Sequence, residues 1–194
     1  MRNRIIETAL ITVIALLVYL LEPRSGQLLA YYHTGIARFE LWRLLTATFC
    51  HSNFNHLLIN IAGLIITLFL FSDTFKSRRI WPLLVFNSLF IGLALFFFEP
   101  NVIWYVGLSG VLHGLFSYGV LSDIGNKDRW GYLLGSGFLV KIIYEQIYGA
   151  PQSTLDLIAA PVLVNAHLYG ALAGAIFYLT EYALAKNRRN KKAQ

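Results

Sequence analysis

Two segments of the chain pair a reactive side chain with a helix-packing pattern. "YVGLSGVLHG", Tyr105 to Gly114, holds Ser109 and His113 among three glycines. "AHLYGALAG", Ala166 to Gly174, holds His167 four residues ahead of an alanine and three ahead of Gly170. A serine hydroxyl becomes a nucleophile when a base within hydrogen-bond reach takes its proton, and imidazole is the usual base. Gly and Ser are also the residues that let membrane helices approach closely. A third segment, "HSNFNHLLIN", places His56 and Asn60 four apart, on one helix face.

The elements that must carry these residues are membrane helices. Hydrophobic residues make up 57% of the 194, charged ones 13%, and mean hydropathy is +0.58. A soluble core of this size needs less apolar material, so the chain reads as an all-α integral membrane protein forming a single domain over residues 1–194. Six apolar segments are expected: Ile5–Leu21, His56–Phe71, Trp81–Phe98, Ser109–Leu121, Gly131–Tyr148 and Pro161–Leu184. Against the roughly 20 residues a bilayer asks for, the third and sixth are long enough and the fourth is clearly short. The first follows Arg2 and Arg4, and with no small-x-small cleavage site after Leu21 it reads as a retained helix. Cys50 is alone, which excludes an internal disulfide framework, and no metal-ligand spacing of cysteines occurs.

The net charge of +6 belongs to topology rather than to a nucleic-acid partner. Arg2 and Arg4, then Lys76, Arg78 and Arg79, then Lys127 and Arg129, then the basic tail 185–194 fall in alternate gaps. The positive-inside rule puts those gaps, and both termini, in the cytoplasm. The gaps Glu99–Leu108 and Gly149–Ala160 contain neither Lys nor Arg. Between the first two segments, Tyr31, Tyr32, Phe39, Trp42 and Arg43 suit an amphipathic loop lying in the headgroup region. The tail suits contact with anionic lipid.

This topology predicts Ser109, His56, Asn60 and His167, the last about two turns into its helix, at similar depth below the outer face. The small-xxx-small pair Gly110/Gly114 and the pair Gly170/Gly174 could bring the fourth and sixth helices together, and with them imidazole and hydroxyl. Ser109 stands where a loop becomes a helix, so free backbone N–H groups there would stabilise an oxyanion. Asn60 and His56 would add hydrogen bonds. No acidic residue is predicted beside His167, which favours a Ser–His dyad over a triad. Lys141 and Glu145, four apart, are expected to pair with each other and carry no chemistry. His51 is expected to brace the loop, and His33 has no assigned role.

With Trp42-Arg43, His51, His56 and Asn60 in "LWRLLTATFCHSNFNHLLIN", then "GLSG" at Gly107–Gly110, then His167, Gly170 and Gly174, in order, the chain resembles the rhomboid family of intramembrane serine proteases. The resemblance implies a six-helix rhomboid fold with Ser109 as nucleophile and His167 as base. It implies His56, Asn60 and the Ser109 N–H as the oxyanion site, and a structural role for Trp42 and Arg43. Many rhomboids carry a tyrosine one turn after the serine, stacked on the histidine; here the position is His113. His113 either stacks on or orients His167, or moves a proton itself.

"GLSGVLHG" in a compact chain is most similar to the rhombosortase subfamily. That implies removal of C-terminal GlyGly-CTERM tails from single-span membrane proteins in the bacterial inner membrane, with the active site opening to the periplasm. No cofactor is expected. Two rivals stand beside this reading. One is a non-catalytic rhomboid-like protein that binds membrane helices. The other is a haem or metal protein using His33, His51, His56, His113 and His167, which is weakened by the lack of HExxH and of an acidic ligand predicted near the cluster.

Overall fold

The computed structural model describes residues 2–76 and 80–192. Arg78 and Arg79 of the second basic gap, and the last two residues of the tail, lie outside the described residues. The chain is mostly helical. The long helix α1 (Arg2–Leu20) is followed by three short helices, α2 (Arg24–Leu29), α3 (His33–Ala37) and α4 (Arg43–Thr46). Then come α5 (Phe54–Leu70), α6 (Ile80–Phe98), α7 (Ser109–Gly125), α8 (Arg129–Tyr148), the short α9 (Gln152–Ile158) and α10 (Val164–Lys192).

Helix α7 is the hub. It contacts α5, α6, α8 and α10, and its interface with α10 is the most extensive in the molecule. Its residues Gly110, Val111, Gly114, Leu115, Ser117 and Tyr118 are buried, so it lacks a lipid-facing side of its own. Seventeen residues rise only about 25 Å, short of a bilayer's hydrocarbon core. By length and hydropathy, α6 and α10 each suffice to cross a membrane, and Arg43–Phe49 with Phe54–Leu70 form a pair bent by 94°. Large apolar side chains such as Phe69, Phe98, Val140 and Ile147 are left exposed on the outside of the bundle. In water such a surface would be prohibitive, and in lipid it is the solvent contact. This is a membrane protein.

The helix ends follow local chemistry. Asn53, in extended conformation, caps α5 by accepting from the His56 N–H at 2.8 Å. Asp128 caps α8 by accepting from the Trp130 N–H at 3.0 Å. Three features differ from the sequence expectation. Helix α10 begins at Val164, which puts His167 in its first turn rather than its second, and it continues through the basic tail to Lys192. The gap after α8 contains α9. Residues Tyr31–Tyr32 and Trp104–Tyr105 form a small antiparallel pair of strands, β1 and β2, with Tyr31 opposite Tyr105.

That strand pair ties the loop after α1 to the segment leading into Ser109. Arg43 is buried and donates to the Ala30 carbonyl at 2.8 Å and to the Gln27 carbonyl at 3.0 Å, while Glu40 pairs with its Nε. Trp42 Nε1 donates to the Leu28 carbonyl at 3.0 Å, and Thr46 Oγ1 donates to that of Leu29 at 2.6 Å. The Trp42–Arg43 pair thus fastens the carbonyl end of α2 to α4. In the chain β1 lies between these two helices, and β2 pairs with it.

Candidate active site

The approach to Ser109 is shaped by Gly107. Its φ is +118°, a region that residues with a Cβ rarely adopt. A Cβ there would also stand 2.7 Å from His56 Nε2 and 3.7 Å from Asn60 Nδ2. Only a glycine lets the chain run this close beneath α5. The Gly107 N–H donates to the Ala47 carbonyl at 3.1 Å, and Tyr105 Oη donates to the Gly107 carbonyl at 3.2 Å. The chain then enters α7 at Ser109.

The two glycine pairs meet as their spacing predicts. A Cβ on Gly170 would overlap the Gly110 carbonyl, and one on Gly174 would overlap the Gly114 carbonyl. The missing Cβ of Gly114 itself makes room for the Asn87 side chain of α6. Near its start, α10 is held by Glu99 at the end of α6, which accepts from Asn165 and from Tyr169 Oη, the latter at 2.9 Å. These two anchors flank His167 by two residues on either side.

His167 Nε2 lies 3.0 Å from Ser109 Oγ. On the other edge of the ring, His167 Nδ1 lies 3.0 Å from Glu145 Oε2, and both residues are buried at 7% exposure. The expectation that no acidic residue stands beside His167 is therefore corrected. Lys141 and Glu145 do pair, at 2.7 Å, but their heads point at the histidines. Lys141 Nζ also contacts His113 Nε2, and His113 Nδ1 lies 2.7 Å from the Ser109 carbonyl. The carbonyl can only accept, so the His113 hydrogen is on Nδ1 and Nε2 accepts from the ammonium. His113 stacks on His167, with centroids 4.1 Å apart and planes 10° apart.

A cavity of about 560 Å³ is lined by His56, Asn60, Ser109, His113, Lys141 and His167, together with apolar residues of β2 and of the α9–α10 connection. Ser109, His56, Asn60 and His167 thus line one shared cavity. Asn60 is 3% exposed and its Nδ2 has no hydrogen-bond partner among the described residues. Ser52 N–H donates to His56 Nδ1 at 3.4 Å. Ser52 Oγ, 3.0 Å from the same nitrogen, donates to the Ile158 carbonyl at 2.7 Å, which links the start of α5 to α9.

His51 lies behind this wall, edge-on to His56 at 5.0 Å, with Nδ1 donating to the Phe49 carbonyl at 3.1 Å. Burial, aided by the neighbouring His56, pushes its pKa down to about 3, so it is neutral at ordinary pH. His33 is elsewhere, stacked on Phe96.

The metal-protein reading also needs amendment, because an acidic group does join the histidines. One ligand atom each from His113, Glu145 and His167 fall within 4.8 Å of one another. Within the cluster Glu145 Oε2 meets Lys141 and His167, His113 Nε2 meets Lys141, and His167 Nε2 meets Ser109. The cation that this cluster holds is its own lysine.

Sequence reasoning missed Glu145 as a member of the site. The signal was present, since an ionisable residue within an apolar helix is a functional candidate by default. Its spacing from Lys141 offered a complete but insufficient explanation.

Comparison with known proteins agrees with this architecture. The chain is 30% identical over 164 residues to "Rhomboid-like protein 11, chloroplastic" of Arabidopsis thaliana, covering 80% of this chain and 56% of that protein. It therefore spans little more than half the length of that relative. It is 25% identical over 162 residues to "Putative rhomboid protease YdcA" of Bacillus subtilis, covering 81% of this chain and 75% of that one. The Rhomboid domain model matches residues 38–183, and the chain belongs to the rhomboid family.

Proposed function

We propose that this chain is an intramembrane serine endopeptidase, with Ser109 as nucleophile and His167 as its base. The observation that carries the reading is the 3.0 Å approach of Ser109 Oγ to His167 Nε2 within the cavity. In the reaction, Ser109 Oγ attacks the scissile carbonyl carbon and its proton passes to His167 Nε2. The carbonyl oxygen gains negative charge and is met by the Ser109 N–H at the start of α7, by Asn60 Nδ2 and by His56 Nε2. The tautomer suited to His56 carries hydrogen on Nε2, in keeping with donation from Ser52 N–H to Nδ1. The C–N bond then breaks as His167 protonates the leaving amine. Water, activated by the same imidazole, hydrolyses the acyl ester and restores Ser109.

The substrate is a single-span membrane protein whose helix enters sideways and unwinds near small residues, where unwinding costs least. In this reading α1, α5, α6, α7, α8 and α10 cross the bacterial inner membrane, both termini are cytoplasmic, and the cavity opens to the periplasm. The similarity of "GLSGVLHG" to rhombosortases further suggests a C-terminal GlyGly-CTERM tail as the substrate, because its Gly-rich junction meets the unwinding requirement.

Co-expression with a tagged GlyGly-CTERM protein, comparing the intact chain with Ser109→Ala and His167→Ala, tests the reading. Cleavage by the intact chain alone is expected. Cleavage that persists in Ser109→Ala would defeat it, and cleavage of other single-span proteins but not the GlyGly-CTERM one would remove only the subfamily assignment.

A further inference from the structure

We propose that Glu145 is a positioning residue for His167, so that the reactive set is Ser109–His167–Glu145 rather than a two-residue dyad; this rests on Ser109 and His167 acting as described above. The first support is the division of labour across one ring. A neutral imidazole has one N–H and one lone pair, and the carboxylate can only accept. Glu145 Oε2 at 3.0 Å from Nδ1 therefore fixes the hydrogen on Nδ1 and leaves the Nε2 lone pair for the Ser109 hydroxyl, also at 3.0 Å. The same carboxylate faces the imidazolium that forms when the serine proton arrives, in a buried setting where charge-assisted hydrogen bonds are strong.

The second support is the direction in which Glu145 points. Of the 20 residues of α8, only Gly131, Ile142 and Glu145 are buried. A membrane-crossing helix turns its ionisable residues to the bundle interior or a polar cavity rather than to lipid, and of this pair the carboxylate is the buried member, the Lys141 side chain being 43% exposed. Here the glutamate is 7% exposed and aimed at α10.

The third support is closure. From Ser109 Oγ the contacts run to His167, Glu145, Lys141 and His113, and back to the carbonyl of Ser109. Every donor in this ring faces an acceptor. Lys141 offsets the carboxylate's charge and simultaneously holds His113, which lies flat against His167. The ring fixes the tautomer and the orientation of the reacting imidazole from three helices, α7, α8 and α10.

The test uses the full chain in lipid nanodiscs and the rate of Ser109 acylation by a fluorophosphonate, which requires no natural substrate. The intact chain should label and Ser109→Ala should not. Glu145→Gln, nearly identical in shape, should label about 10²-fold more slowly or worse at a temperature where the variant is still folded, and Glu145→Asp should fall between it and the intact chain. Labelling of Glu145→Gln at the rate of the intact chain would overturn the proposal while leaving Ser109 as the nucleophile. No labelling of the intact chain would overturn both. A second measurement does not depend on how the Glu145 variants fold: ¹⁵N spectra of the histidine-labelled intact chain, with His167 assigned by its loss in His167→Asn. Protonated Nδ1 with bare Nε2 is expected, and the reverse tautomer would overturn the role of Glu145.

Discussion

His113 lies flat on His167, 4.1 Å away, and reaches past it to touch Lys141 and the Ser109 carbonyl. It therefore does two things that a stacking phenylalanine would not do together: it covers the His167 ring and it closes a hydrogen-bonded circuit. His113→Ala removes both contributions, and His113→Phe removes only the second. An aromatic pair is worth about 0.5–1.5 kcal/mol beyond its buried area, up to about tenfold in rate. Acylation rates should fall in the order intact chain, Phe, Ala, with the Ala variant about tenfold or more below the intact chain. Equal rates for Phe and Ala would show that the circuit, not the stack, matters.

Asn60 separates rate from stability. Its buried Nδ2 has no partner among the described residues, a state that costs folding free energy. Asn60→Leu fills similar volume without the orphan donor. Its melting temperature is expected to equal or exceed that of the intact chain, while hydrolysis of a membrane substrate falls about 10²–10³-fold, the usual loss for one oxyanion donor. A proportionate loss of both would make Asn60 a packing residue.

The glycines offer a matched pair of opposite sign. At Gly170 an added Cβ meets the backbone carbonyl of Gly110, which cannot rotate away, whereas at Gly137 it meets nothing within 4 Å. Gly170→Ala should destabilise by about 1–3 kcal/mol or more as α7 and α10 are forced apart, and should abolish acylation by withdrawing His167 from Ser109. Gly137→Ala, in the interior of α8, should be neutral or stabilising by up to about 1 kcal/mol. Thermal unfolding in detergent reads both.

Arg43 serves as a test of the loop's framework. Its forked head bonds the Ala30 and Gln27 carbonyls together, and a lysine has no fork with which to reach both. Arg43→Lys should strand at least one carbonyl, at about 1–3 kcal/mol. The expected signs are a lower melting temperature and faster proteolysis between α1 and α5. Unchanged proteolysis would mean that β1 and β2 hold the loop unaided.

The sequence by itself determined which residues could react and roughly where they would lie. Ser109 at a loop-to-helix junction, His167 with Gly170 and Gly174 behind it, and His56 four before Asn60 are local patterns, and helix geometry converts each into a face. The close approach of α7 and α10 was legible for the same reason, since only glycines admit backbone against backbone. The rotation of α8 was not legible. Its residues are apolar or aromatic on most sides, so no stripe marks an inner face, and the inward aim of Glu145 is decided by α7 and α10 packing against it. The pairing of β1 with β2 was equally hidden, because two residues per strand carry no periodic signal and the partners, Tyr31 with Tyr105 and Tyr32 with Trp104, are 74 and 72 positions apart. Tertiary structure decided the tautomer of His113 as well, for a ring's hydrogen is set by the atoms opposite it, and these came from Ser109 and from Lys141 on another helix.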